Sequence, residues 1–112
     1  MIKVLALLRR RPDMTREECH RYWREVHAGI ARQMPGVRGY VLNLASSGPG
    51  GDEPPFDGVA ELWFDDFAAY QAAFAAEAGR QTMQDVPNFT DGQLQVILAQ
   101  EHVVVPKAEG QA

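Results

Sequence analysis

His27, Tyr40 and Glu61 are the residues whose types and settings could do chemistry in this chain. His27 lies in the stretch TREECHRYWREVHAGIARQM, one helical turn after Trp23 and at the margin of an apolar stripe. An imidazole titrates near neutrality and can both take and give a proton, which suits general acid–base work. The plainer alternative is a helix-edge histidine bonded to a backbone carbonyl. Glu61 interrupts an apolar run between Ala60 and Leu62 and shares a strand face with Val59 and Trp63. It is either a carboxylate solvated at a sheet edge or one set in a pocket. Tyr40 could donate a hydrogen bond into the same pocket, or simply pack. Glu101 and His102 are adjacent near the end of the last apolar run, so one of them points to each face of a strand. Tyr22, Trp23 and Trp63 are types that most often fill cores. Taken together these residues describe an apolar cavity holding histidine, carboxylate and phenol groups, with Tyr22, Trp23, Trp63 and His102 as ligand-binding walls.

Other candidates carry less. Glu17-x-x-His20 has an i, i+3 spacing found in carboxylate-bridged metal sites, but those need further ligands from other helices, so no metal is expected. Gly48-Pro49-Gly50-Gly51 precedes no helix start and reads as a loop, not a phosphate cradle. Cys19 falls on the buried stripe and reads as a packing thiol.

The elements that must position these groups follow in order. Ile2 to Arg9 reads as a strand, apolar on both faces. Thr15 with Glu18 is a capping-box start, and Pro35-Gly36 a stop, for one helix from Thr15 to Met34. At about 100° per residue its stripe is Cys19, Tyr22, Trp23, Val26, Ile30 and Met34. Val37 to Ala45 is the second strand, Ser46 to Pro55 a Gly/Pro-rich loop, and Asp57 to Phe64 the third strand. Asp65 or Asp66 caps a second helix through Ala76. Gly79 to Asp91 is a broken region with one helical turn at 80–85, and Leu94 to Val105 is the last strand. The order βαββαβ is the α+β, ferredoxin-like split arrangement. Both its helices lie on one face of the sheet, yet these strands are apolar on both faces. The bare face therefore calls for a cover, and a homodimer with two sheets face to face supplies it.

Composition sets the outer bounds. The 112 residues make one domain over 1–106 with a polar tail at 107–112, and 46% apolar with 23% charged residues is an ordinary globular balance. A net charge of −4 argues against a nucleic-acid footprint, and Arg9-Arg10-Arg11 reads as a solvated cluster at a strand end. No run approaches the ~20 apolar residues that span a bilayer, so no membrane partner is expected. One cysteine excludes an internal disulfide framework, and MIKVLALL lacks the pattern of a signal peptide; a soluble, cytoplasmic protein is expected.

The opening MIKVLALLRRRP, the helix HRYWREVHAGIA, then MPGVRGYVLN, PPFDGVAELWFDD and the closing EHVVV resemble the EthD family in order and spacing over residues 1–105. The resemblance implies a ferredoxin-like protomer, a homodimeric α/β barrel and no cofactor. It points to His27 first, then Tyr22, Trp23, Tyr40, Glu61 and His102. Where the family often has a proline two residues after the histidine, this chain has Gly29, which should loosen the helix there. The expected function is acid–base isomerisation, dehydration or cyclisation of a small oxygenated apolar or aromatic metabolite, in catabolism or polyketide metabolism. His27, Tyr40 and Glu61 would be its catalytic residues. The alternatives are an accessory dimer that shields a metabolite, and oxygen chemistry that is cofactor-free or haem-dependent.

Overall fold

The computed structural model describes residues 1–108; the rest of the polar tail lies outside the described residues. The chain runs β1 (Ile2–Leu8), α1 (Arg16–Tyr22), a π-helical turn (Trp23–His27), α2 (Ala28–Ala31), β2 (Gly39–Leu44) and β3 (Gly58–Phe64). It continues through α3 (Phe67–Ala75), α4 (Glu77–Asp85), a 3₁₀ turn (Val86–Asn88) and β4 (Gln95–Ala99). The sheet order is β2-β3-β1-β4, with each neighbouring pair antiparallel. This is the ferredoxin-like arrangement expected from the order of elements.

Register assigns the faces. Val4 lies opposite Leu62, Ala6 opposite Ala60, and Leu42 opposite Ala60, so these residues share the helix-covered face. Lys3, Leu5, Val41, Asn43, Glu61 and Trp63 occupy the other face. The core of Val4, Leu8, Cys19, Trp23, Leu62, Phe64 and Phe89 is packed between sheet and helices. Among the described residues no helix or strand covers the far face; residues 101–107 run along part of it, and Val41 and Ile97 remain about half exposed.

The helix start is as its residues require. Thr15 Oγ1 accepts from the Glu18 amide, and the Glu18 carboxylate accepts from the Thr15 amide. The helix continues through Gly29, so the expected loosening there is absent. The irregularity falls one turn earlier, where the Ala28 amide bonds back to the Trp23 carbonyl, five residues away. A π turn inserts a residue into the helical count and rotates everything after it. The buried positions are therefore Cys19, Trp23, His27, Ala31 and Met34, while Val26, expected inside, is 43% exposed. His27 sits within the core, not at its margin.

Three other boundaries differ. The region 79–91 is largely helical: α4 occupies Glu77–Asp85 and leads into the 3₁₀ turn. Pro87 fits there because the first turn of a helix needs no amide donor from it. β4 ends at Ala99, well short of Val105, so Val103, Val104 and Val105 lie beyond the ladder and are exposed. β2 begins at Gly39. The arginine cluster is also more engaged than its pattern implies. Arg10 bonds Asp57 through its amide and its guanidinium at 2.8 Å each, Arg11 pairs with Asp13, and Arg9 lies over Phe56.

Candidate functional site

The rotation imposed by the π turn carries His27 to the end of α4. There His27 Nδ1 lies 2.8 Å from Asp85 Oδ2. The other carboxylate oxygen accepts from the Tyr22 hydroxyl at 2.6 Å and from Asn88 Nδ2 at 2.9 Å. With Asp85 ionised, Nδ1 is the protonated nitrogen and donates to it. Nε2 makes no hydrogen bond to any of the described residues and carries the free lone pair. His27 packs on Phe89 with ring centroids 4.7 Å apart, and Tyr22 stacks on the same phenyl at 5.4 Å.

Several local features hold this group in place. Trp23 lies directly on Gly58: a Cβ there would meet the indole at 2.3 Å and the Asn43 carbonyl at 2.6 Å. The segment after α4 is strapped to the end of β1 by Arg11 N to Phe89 O and Asp91 N to Arg9 O, each 3.0 Å. Thr90 adds a buried hydroxyl bond to the Val86 carbonyl. These contacts fix Phe89 beneath the imidazole.

Burial holds the His27 pKa below the ordinary 6.5, against the opposing pull of the Asp85 carboxylate. Burial alone would raise Asp85, but the bonds from Tyr22, Asn88 and His27 together bring its pKa below 3.8. At neutral pH the pair is thus a neutral imidazole on an ionised carboxylate. Tyr40 is pushed up to about 12 by burial, so its phenol keeps its proton and can only donate or accept a hydrogen bond. The Cys19 thiol is raised to about 11 by burial, in keeping with a packing role. His20 bonds the Asp57 carbonyl through Nε2 at 2.7 Å, which engages the histidine of the Glu17-x-x-His20 pair in the fold.

A narrow apolar cavity of about 50 Å³ opens beside His27, between the helices and the sheet. Tyr40, Trp23, Met34, Met83 and Phe89 are among its walls. The expected site residues therefore divide into two groups. His27, Trp23 and Tyr40 meet at this cavity, with Tyr22 behind it on Asp85. Glu61, Trp63 and His102 line a separate groove on the opposite sheet face. Glu61 does not meet His27. It is tied to Lys3 Nζ at 2.5 Å and to Asn43 Nδ2 at 2.8 Å, and the bond to Lys3 chiefly lowers its pKa. The period-2 alternation of β3 sends Glu61 away from Ala60 and Leu62, which do line the cavity. The carboxylate that serves His27 is instead Asp85, which the sequence reading missed. A signal was present: an acidic residue in the last turn of a helix opposes the macrodipole and has no basic neighbour in that turn.

The fold is that of a ferredoxin-like α+β domain, here with a histidine at a pocket between helices and sheet. Residues 11–93 match the EthD domain, and the chain belongs to the EthD family. An uncharacterized 11.0 kDa protein from the thcB-thcC intergenic region of Rhodococcus erythropolis is 29% identical over 80 residues, 71% of this chain and 77% of its own. Among solved structures, an EthD family protein of Bacillus halodurans has a TM-score of 0.77 at 24% identity, covering 91% of this chain and 99% of that one. SnoaB of Streptomyces nogalater, described as a cofactor-independent oxygenase, has a TM-score of 0.68 at 12% identity, covering 95% and 97%.

Proposed function

We propose that this protein is a cofactor-independent acid–base catalyst acting on a small oxygenated, largely apolar metabolite. The observation that carries the reading is the His27–Asp85 pair with Nε2 left unbonded at an apolar cavity. His27 Nε2 removes a proton from carbon next to a carbonyl, and the Tyr40 hydroxyl hydrogen-bonds the oxygen on which negative charge grows. Asp85 keeps the imidazole in the productive tautomer and stabilises the imidazolium that forms. Returning the proton to a different atom completes an isomerisation; passing it from the imidazolium to a departing β-hydroxyl, which leaves as water, completes a dehydration. Both belong to catabolic or polyketide-type chemistry. The working unit is a homodimer with the two far sheet faces packed together, which agrees with their exposed apolar residues.

The test is α-proton exchange in D₂O, followed by ¹H NMR over a panel of small lactones, ketones and phenols. Exchange of at least one compound should fall by about 10²- to 10⁴-fold in His27→Gln. An unchanged rate in that variant would remove the proposal. The narrowness of the cavity favours a second reading, a non-catalytic dimer that binds or shields a metabolite. Saturable binding without any histidine-dependent exchange would support it. Cofactor-free oxygen chemistry, as in the description of SnoaB, would appear as oxygen consumption by the same panel.

A further inference from the structure

The cavity beside His27 has no Asp, Glu, Lys or Arg among its lining residues. A permanently anionic group entering it would lose its hydration without gaining a cationic partner, at a cost of several kcal/mol. Three lining residues are polar besides the Trp23 indole: His27, Tyr40 and Thr82. The Thr82 hydroxyl already donates to the Ala78 carbonyl at 2.7 Å. What remains is one free acceptor on His27 and the Tyr40 phenol, the pairing that suits a carbonyl compound with an acidic C–H.

The size of the cavity adds a second constraint. About 50 Å³ accommodates one or two waters, so a ring compound enters only if a wall moves. α4 itself is pinned at both ends. A Cβ at Gly79 would lie 2.2 Å from the Ala73 carbonyl oxygen, so the helix start is seated on α3, and Asp85 at its other end holds three hydrogen bonds. The wall that can move is therefore a side chain. Met83 alone among the lining residues is exposed, at 47%, while the others are buried or half-buried. Methionine is unbranched and changes rotamer at little cost.

We propose that this cavity takes an uncharged, compact carbonyl compound, and that Met83 is the side chain such a compound displaces on entering. The assignment deepens the acid–base reading by naming its substrate class and gate, and its test reads binding, not turnover. Met34, buried on the cavity wall, reports occupancy through its methyl signal in protein carrying ¹³C-methyl methionine. The probes are cyclohexanone and cyclohexanecarboxylate. Cyclohexanone should shift the Met34 signal, and Met83→Ala should tighten binding or speed exchange by about tenfold. Cyclohexanecarboxylate should leave the signal in place. Equal binding of the two probes, no binding of the ketone to either protein, or no effect of Met83→Ala would each overturn the proposal. Ketone binding retained in His27→Gln would uphold the pocket even if the exchange assay shows no catalysis.

Discussion

At the residue scale the site depends on where one proton sits. A buried histidine with a depressed pKa is neutral when folded and free to protonate when unfolded. Between that depressed value and 6.5 the unfolded chain binds the extra proton, so folding stability from this group is complete above 6.5 and declines as pH falls from there. Asp85 acts in the same direction but lower. Its folded pKa is held below 3.8, so its contribution is complete above that value and is lost as pH falls through the folded pKa. Urea unfolding as a function of pH should therefore show two acid-side declines, and His27→Gln should abolish the upper one and reduce the lower one, since His27 also helps to lower Asp85. A single decline below pH 4 in the wild-type chain would mean that His27 is not desolvated as described.

At the element scale, the order of elements was legible, while the π turn, α4 and the end of β4 were not. The capping box at Thr15, the stop at Pro35-Gly36 and the apolar strand runs each follow from local chemistry, and the elements formed close to where that chemistry put them. The π turn left no such mark, because its cause is tertiary. Trp23 packs on Gly58 in β3 and His27 bonds Asp85 in α4, both distant in sequence from the helix that carries them. The same omission hid α4, whose Asp85 terminus is stabilised by Tyr22, Asn88 and His27 from outside the helix or beyond its end. Val103 to Val105 have strand propensity but lie beyond the end of the β4 ladder at Ala99, so pattern alone extends the strand too far. Gly58→Ala tests the turn's support. The added methyl overlaps both Trp23 and a backbone carbonyl, so it should cost about 1–3 kcal/mol. That corresponds to a fall of roughly 4 °C or more in Tm, measured by calorimetry. An unchanged Tm would show that the indole does not depend on this glycine.

At the scale of the whole molecule, the sheet has two unlike faces. One is filled by the helices and carries His27 and Tyr40. The other bears Val41, Ile97 and Trp63 around the Lys3–Glu61–Asn43 cluster, with Lys3 5.0 Å from the Trp63 ring. That face mixes apolar surface with opposite charges, so it can mate with a copy of itself about a two-fold axis. Glu61 and Trp63 lie on this face, away from the His27 cavity, although in the sequence all three read as one site. Val41→Asp combined with Ile97→Lys should convert a dimer to a monomer in light scattering at micromolar concentration. A dimer that persists in this variant would place the interface elsewhere.

The acid–base role of His27 depends on the state of one ring, and ¹⁵N NMR of His27 at pH 7 reads it directly. The expected spectrum is a neutral imidazole with Nδ1 protonated and Nε2 bare, titrating below pH 6.5 and losing its tautomer preference in Asp85→Asn. An imidazolium at pH 7, or a ring protonated at Nε2 in the wild-type protein, would contradict it, since neither leaves a base facing the cavity.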